Sequence, residues 1–93
     1  MDNIRLLDFH ATWCEPCKWS EPIVDEVVKH FGDKLILEKI DVDQSQELCS
    51  LYNIRSVPTF VLLISSKEVW RMNGFDHSAN MITAITEAIK KHE

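Results

Sequence analysis

Cys14 and Cys17 are separated by two residues, Glu15 and Pro16, with Trp13 before them and Lys18 after. Two thiols at this spacing can close into a disulfide and reopen, and so exchange electrons with another disulfide. The thiolate, not the thiol, attacks, so the question is what stabilises a negative sulfur here. The residues after Cys14 read as the start of a helix, with Pro16 in the first turn, where its missing N–H costs nothing. Cys14 is then expected at a helix N-terminus, where free backbone N–H groups and the helix dipole favour an anion. Cys17, one turn further in, is expected to be more buried and to react second. Cys14 would form a mixed disulfide with a substrate, and Cys17 would resolve it, leaving the pair oxidised.

The third cysteine, Cys49, is not at a resolving spacing. It reads as a small buried residue on a short helix, with a regulatory or intermolecular thiol as the alternative. A zinc site would need more ligands at suitable spacing than Cys14, Cys17 and the scattered histidines supply, so no metal is expected. Three cysteines in 93 residues do not make the framework of a secreted disulfide-rich protein. The first residues lead straight into a strand pattern without the features of a secretory signal. A reducing, cytoplasmic compartment is the expectation.

Composition narrows the partners. The chain is 45% hydrophobic and 27% charged with a formal net charge of −5, which argues against nucleic acid or an anionic membrane surface. The longest apolar run, Phe60 to Ile64, is far short of the ~20 residues of a membrane span. The length suits one domain over residues 1–93.

The elements that must position the cysteines follow from periodicity. Ile4 to Ala11 reads as a buried strand on which Asp8 and His10 share a face with Leu6, an unusual place for an acid. From Pro16 to about Phe31 the spacing of Ile23, Val24, Val27, Val28 and Phe31 is helical, with a kink expected at Pro22 and an end at Gly32-Asp33. Leu35 to Val42 is a second strand. Asp43 or Ser45 caps a short helix to about Tyr52, with Leu48, Leu51 and Tyr52 as its inner stripe. A turn over Arg55 to Thr59 feeds Phe60 to Ile64, a central strand covered on both faces. Ser65-Ser66-Lys67 reverses the chain into Val69 to Asn73, making an antiparallel hairpin. After Gly74 a last helix carries Met81, Ile82, Ile85, Ala88 and Ile89, and Lys90-Lys91-His92 suit its C-terminal end. The order is βαβαββα, the first two strands being parallel with a right-handed crossover.

With these elements in place, the chain resembles the thioredoxin family along nearly its whole length. The resemblance is carried by Leu7 to Lys18 around the cysteines, by Pro22 at the family's helix kink, and by Lys39 to Asp43. It continues through Tyr52 to Phe60 at the cis-proline loop and at Gly74. It implies an α/β thioredoxin fold: a four-stranded mixed sheet flanked by three helices, without the family's usual N-terminal strand and helix. The second strand would then be a sheet edge, open to pairing. It also implies a protein dithiol–disulfide oxidoreductase. Asp8, a carboxylate beneath the site with a raised pKa, is the expected base for Cys17. Lys39 matches the lysine that partners this acid, and Pro58 would be cis, leaving the Val57 backbone free to pair with an extended substrate. Trp13, Pro16, Val57, Thr59 and Gly74 would form the substrate surface.

Three residues depart from the family pattern. Glu15 stands where glycine is usual and would oppose the thiolate by about 1 kcal/mol at an intermediate dielectric. By the two-electron relation that is at most about 20 mV, toward a more reducing pair. His10 replaces a usual tryptophan, and is read either as a satisfied half-buried histidine or as a group that makes reactivity pH-dependent. Trp19 is either a second substrate-facing aromatic or helix packing. The expectation is a small reductase of protein disulfides, served by an electron-donating reductase, monomeric, with the Cys14–Cys17 pair in place of any cofactor. The alternatives are a non-enzymatic module that holds a partner peptide in the Trp13/Val57 groove, and a domain of a larger oxidoreductase.

Overall fold

The structure, a computed structural model, describes residues 3–92. Its elements are β1 (Ile4–His10), α1 (Glu15–Phe31), β2 (Ile36–Asp41), α2 (Gln46–Leu51), β3 (Thr59–Ile64), β4 (Lys67–Asn73) and α3 (Ser78–Lys91), with a 3-10 turn over Gly32–Lys34 after α1. The order βαβαββα is the one expected, and the strands form one sheet in the order β2-β1-β3-β4. β1 runs parallel to β2 and antiparallel to β3, and β3 and β4 form an antiparallel hairpin. Every residue of β3 is buried, as its unbroken apolar run predicts. The hairpin turns at Ser65-Ser66, both at positive φ (50° and 70°), the backbone that matches the right-handed strand twist.

Side chains alternate across the sheet and build two layers. On one face Leu6, Phe60 and Leu62 pack with Val24 and Val27 of α1 and with Met81, Ile85 and Ala88 of α3. On the other, Leu7, Phe9, Ile40, Val61 and Leu63 meet Val42, Cys49, Tyr52 and Ile54. α1 continues through Pro22, which lies inside the helix with its side chain exposed. An interior proline costs ~3 kcal/mol. Burial at roughly 1.5–3 kcal/mol per fully covered side chain returns more, since Val24 and Val27 are both buried and Ile23, Val28 and Phe31 pack partly against them. Gly32, at φ 57°, closes the helix by donating its N–H to the Val28 carbonyl.

α2 departs from expectation. Leu48 and Leu51 face outward, at 39% and 71% exposure, and only Tyr52 of the expected stripe packs inward. A helix ending at Leu51 is too short to present a full stripe. Cys49 and then Tyr52 and Ile54 cover the sheet, the chain turning between the last two at Asn53 with φ 55°. Ser45 is the N-cap residue but makes no side-chain capping bond. The approach to α2 is instead fixed by Asp41, whose carboxylate accepts the Asp43 N–H at 2.9 Å.

Candidate active site

β1 ends at His10, and the Cys14 N–H donates to the Ala11 carbonyl at 3.2 Å, so a tight turn delivers Cys14 as the N-cap of α1. Cys14 and Cys17 are joined by a disulfide, their Cα atoms 5.3 Å apart. The Cys17 N–H donates to Cys14 Sγ at 3.1 Å, so the sulfur occupies the place a serine or aspartate oxygen takes in an ordinary N-cap. Pro16, in the first turn, contributes no competing donor. Cys17 is not the more buried of the two: the cysteines are 4% and 5% exposed. In the bonded state both sulfurs lie in one cluster with Ala11, against Val42 and Val57.

Beneath the pair, Asp8 is 5% exposed on the β1 face that α1 covers. Lys39 of β2 is its register partner on one side and Phe60 of β3 on the other. Burial pushes the Asp8 carboxyl up from the ordinary aspartate range; nearby His10 and Lys39 pull it back, and Glu21 pushes it further up. Asp8, His10, Cys17, Glu21 and Lys39 line one cavity of about 290 Å³. A second, largely apolar cavity of about 270 Å³ lies on the other side, lined by Trp13, Val42, Cys49, Ile54, Arg55 and Val57. Cys17 therefore borders a chamber lined by ionisable side chains, and the groove beside Trp13 and Val57 carries no such side chain but Arg55 and Cys49.

The Val57–Pro58 peptide bond is cis, as the resemblance implies. The loop is tied down at both ends. The Gly74 N–H donates to the Pro58 carbonyl at 2.7 Å, and Thr59 Oγ1 donates to the Ser56 carbonyl at 2.8 Å and meets Asn73 Oδ1 at 3.3 Å. Thr59 is thus corrected: its side chain is 1% exposed and holds the loop instead of facing a substrate. Trp13 and Trp19 are both exposed, at 66% and 63%, so Trp19 is not helix packing. Pro16 is exposed, and Val57 and Gly74 are half-buried. Glu15 is exposed and pairs with Lys18, Oε1 to Nζ 3.3 Å.

Three groups at the site escape a reading of the sequence. Asp43 Oδ2 accepts the Trp13 indole N–H at 2.9 Å and fixes the ring. Glu21 lies one helical turn beyond Cys17, a spacing that could have flagged it. Ile54 lines the groove from the turn after α2, where no helical or strand period marks it, beside Cys49, which faces inward as its reading as a small buried residue expects. Burial, and secondarily Asp43, raises the Cys49 pKa, so it is a poor nucleophile. Among the described residues no group of three or more His, Cys, Asp or Glu is placed to hold a metal ion. Among them, too, no helix is long and apolar enough to cross a membrane.

A disulfide across two intervening residues at the N-terminus of a helix, on a β2-β1-β3-β4 sheet, is the arrangement of the thiol–disulfide oxidoreductases. The thioredoxin family model matches residues 1–87. Thioredoxin-1 of Drosophila melanogaster is 38% identical over 89 residues, covering 94% of this chain and 83% of the relative. Thioredoxin of Bacillus subtilis is 37% identical over 91 residues, covering 98% and 84%. The solved structure of a point-mutant thioredoxin from Halobacterium salinarum superposes with a TM-score of 0.82 at 34% identity, covering 92% of this chain and 74% of that one. The chain belongs to the thioredoxin family, and it is a thiol–disulfide oxidoreductase.

Proposed function

We propose that the protein works in the reducing direction, opening disulfides of protein substrates. The observation that carries the attack by Cys14 is the placement of its Sγ as the N-cap acceptor of α1, 3.1 Å from the Cys17 nitrogen; the direction rests on the thioredoxin relatives and on Glu15, whose charge opposes the thiolate. The same N–H and the helix dipole are available to a Cys14 thiolate once the pair is reduced. Cys14 attacks one sulfur of the substrate disulfide, giving a mixed disulfide and a departing thiolate. Cys17 gives its proton to Asp8 and attacks Cys14 Sγ; the Cys14–Cys17 bond forms and the second substrate sulfur leaves. Lys39, beside Asp8 in the register, is the cation that keeps a buried carboxylate tolerable when it ionises.

The apolar groove supports a mode of binding. An extended substrate segment pairs with the main chain of Val57, and a side chain enters between Trp13, Val42 and Ile54. Pro16 and Gly74 are read as the rest of the substrate surface. The Cys14–Cys17 pair serves as the redox group itself, replenished by an electron-donating reductase, in a monomer that keeps thiol balance in a reducing compartment such as the cytoplasm. The test is dithiothreitol-driven reduction of insulin. Turnover by the wild type and none by Cys14→Ser is expected; no turnover, or turnover that survives Cys14→Ser, would refute the reading. Equilibration with glutathione then gives the direction, a potential well below the glutathione pool being expected.

A further inference from the structure

The chamber beneath the disulfide holds more proton-carrying groups than one buried acid requires. Asp8 and His10 face it from β1, two residues apart and so on one side of the strand. Cys17, Lys18 and Glu21 face it from α1, and Lys39 from β2. Asp8 is 5% exposed whereas His10 is half-buried. At about 290 Å³ the space admits several water molecules, each taking ~30 Å³ in the liquid. A proton taken by Asp8 either returns to Cys17 when the pair is reduced again or leaves to solvent, and the second route needs a carrier. Ammonium groups and ordinary carboxylates do not trade protons near neutrality, and imidazole does. Lys18 is moreover engaged with Glu15.

We propose that His10 is a positioning residue of the resolving step, taking from Asp8, through this chamber, the proton that Asp8 receives from Cys17 and passing it to solvent. The inference rests on the reductase reading above and adds a proton route to it. The balance is simple. The Cys17 Sγ–H bond breaks and its proton goes to the Asp8 carboxylate. The Cys17 thiolate forms the bond to Cys14 Sγ, the bond from Cys14 to the substrate sulfur breaks, and the substrate leaves as a thiolate. The cysteines lose two electrons and the substrate disulfide gains them. As the Cys17 proton reaches Asp8, neutral imidazole takes a proton from Asp8 and releases it to water. The cationic imidazole in turn favours the ionised form of Asp8, readying it for the next turn.

The resolving step can be isolated by mixing reduced protein with a chromogenic aromatic disulfide. The first thiolate released reports attack by Cys14 and the second reports resolution by Cys17. His10→Gln is expected to leave the first release unchanged and to slow the second by roughly threefold to tenfold at pH 7, short of the 10²–10⁴ of a group acting on the reacting proton directly. The pH profile of the second release should differ between wild type and His10→Gln. In His10→Ala, added imidazole should restore the rate in proportion to its free-base concentration. A structural role would give neither the selective effect nor the rescue. As a measurement free of turnover, the Asp8 carboxyl followed by carbon NMR should titrate at higher pH in His10→Gln. A second release with an unchanged pH profile, an absent imidazole rescue, or an unmoved Asp8 titration would each overturn the proposal. Insulin reduction by the wild type is scored separately, so a failed relay does not count against the reductase.

Discussion

The backbone N–H of Cys17 points at the sulfur of Cys14, 3.1 Å away, so the residue proposed to resolve the mixed disulfide also helps hold the sulfur proposed to attack. This ranks the three cysteines of the reduced protein. Cys14 has a helix N-terminus beside it, and Cys49 has its pKa raised by burial and by Asp43. Iodoacetamide at pH 7 should modify Cys14 first, with a rate midpoint below the ~8.5 of a free cysteine. Peptide mapping by mass spectrometry reads the order. Alkylation of Cys49 ahead of Cys14 would remove the basis for assigning Cys14 as the nucleophile.

Glu15 is the next group along. Its carboxylate opposes the thiolate, but Lys18 lies 3.3 Å from it and offsets part of the field. The full effect of a lone charge would be about 20 mV, so Glu15→Gly should raise the reduction potential by less than that. The Cys14 pKa should fall slightly in the same variant. Lys18→Met, which frees Glu15, should move the potential the other way. Equal potentials in wild type and both variants would show that neither charge tunes the pair.

Asp8 gives a pH-dependent stability with a definite sign. Its folded pKa is raised, chiefly by burial, so the folded state prefers the protonated acid. The stability tied to that preference is complete below the unfolded aspartate range and is lost as pH rises through the folded pKa. Asp8→Asn removes the loss. The oxidised variant should be more stable than wild type by about 1–3 kcal/mol at pH 8, the cost of a buried polar group in mutational data. The difference should shrink toward zero below about pH 4, near the ordinary aspartate value. Urea unfolding at several pH values checks this. The same variant should resolve mixed disulfides ~10²-fold more slowly, as befits a lost general base. A gain in stability independent of pH would mean that the carboxyl is not the source.

What can be read in advance depends on whether one stretch of chain carries the signal. The strand of Leu6, Asp8 and His10, the stripe of Val24 and Val27, and the run from Phe60 to Ile64 each declare themselves by local period, and each is where that period puts it. The cysteines, Asp8 and Lys39 are legible through their motif, and the β1–β2 register sets the last two side by side. α2 defeats the pattern because six residues admit more than one apolar stripe, and tertiary packing chooses Cys49 over Leu48 and Leu51. Thr59 is misplaced because a hydroxyl beside a substrate loop does not say whether it faces out or ties the loop to Ser56 and Asn73. The bond from Trp13 to Asp43 spans thirty residues, and no pairwise spacing predicts it.

Two backbone positions make opposed predictions from the same conformational rule. Gly74 has φ 88°, and a Cβ there would meet nothing within 4 Å, so replacement costs backbone strain alone. Gly74→Ala should destabilise by about 1–2 kcal/mol, the left-handed penalty for a residue with a Cβ. Ser66 already bears that penalty, at φ 70° in the exposed turn between β3 and β4. Ser66→Gly should relieve it, less the entropy that glycine adds to the unfolded chain, for a net gain of about 0.5 kcal/mol. Thermal melts resolve both, since 1 kcal/mol moves the midpoint of a domain this size by ~4–8 °C. Activity separates them further. Gly74 donates to the Pro58 carbonyl and so touches the cis-proline loop, and on the proposed substrate surface its new methyl group should raise KM for insulin with little change in kcat, whereas Ser66→Gly, at the far end of β3, should leave both alone. A Gly74→Ala protein with the wild-type melting point and KM would place that residue outside the substrate surface.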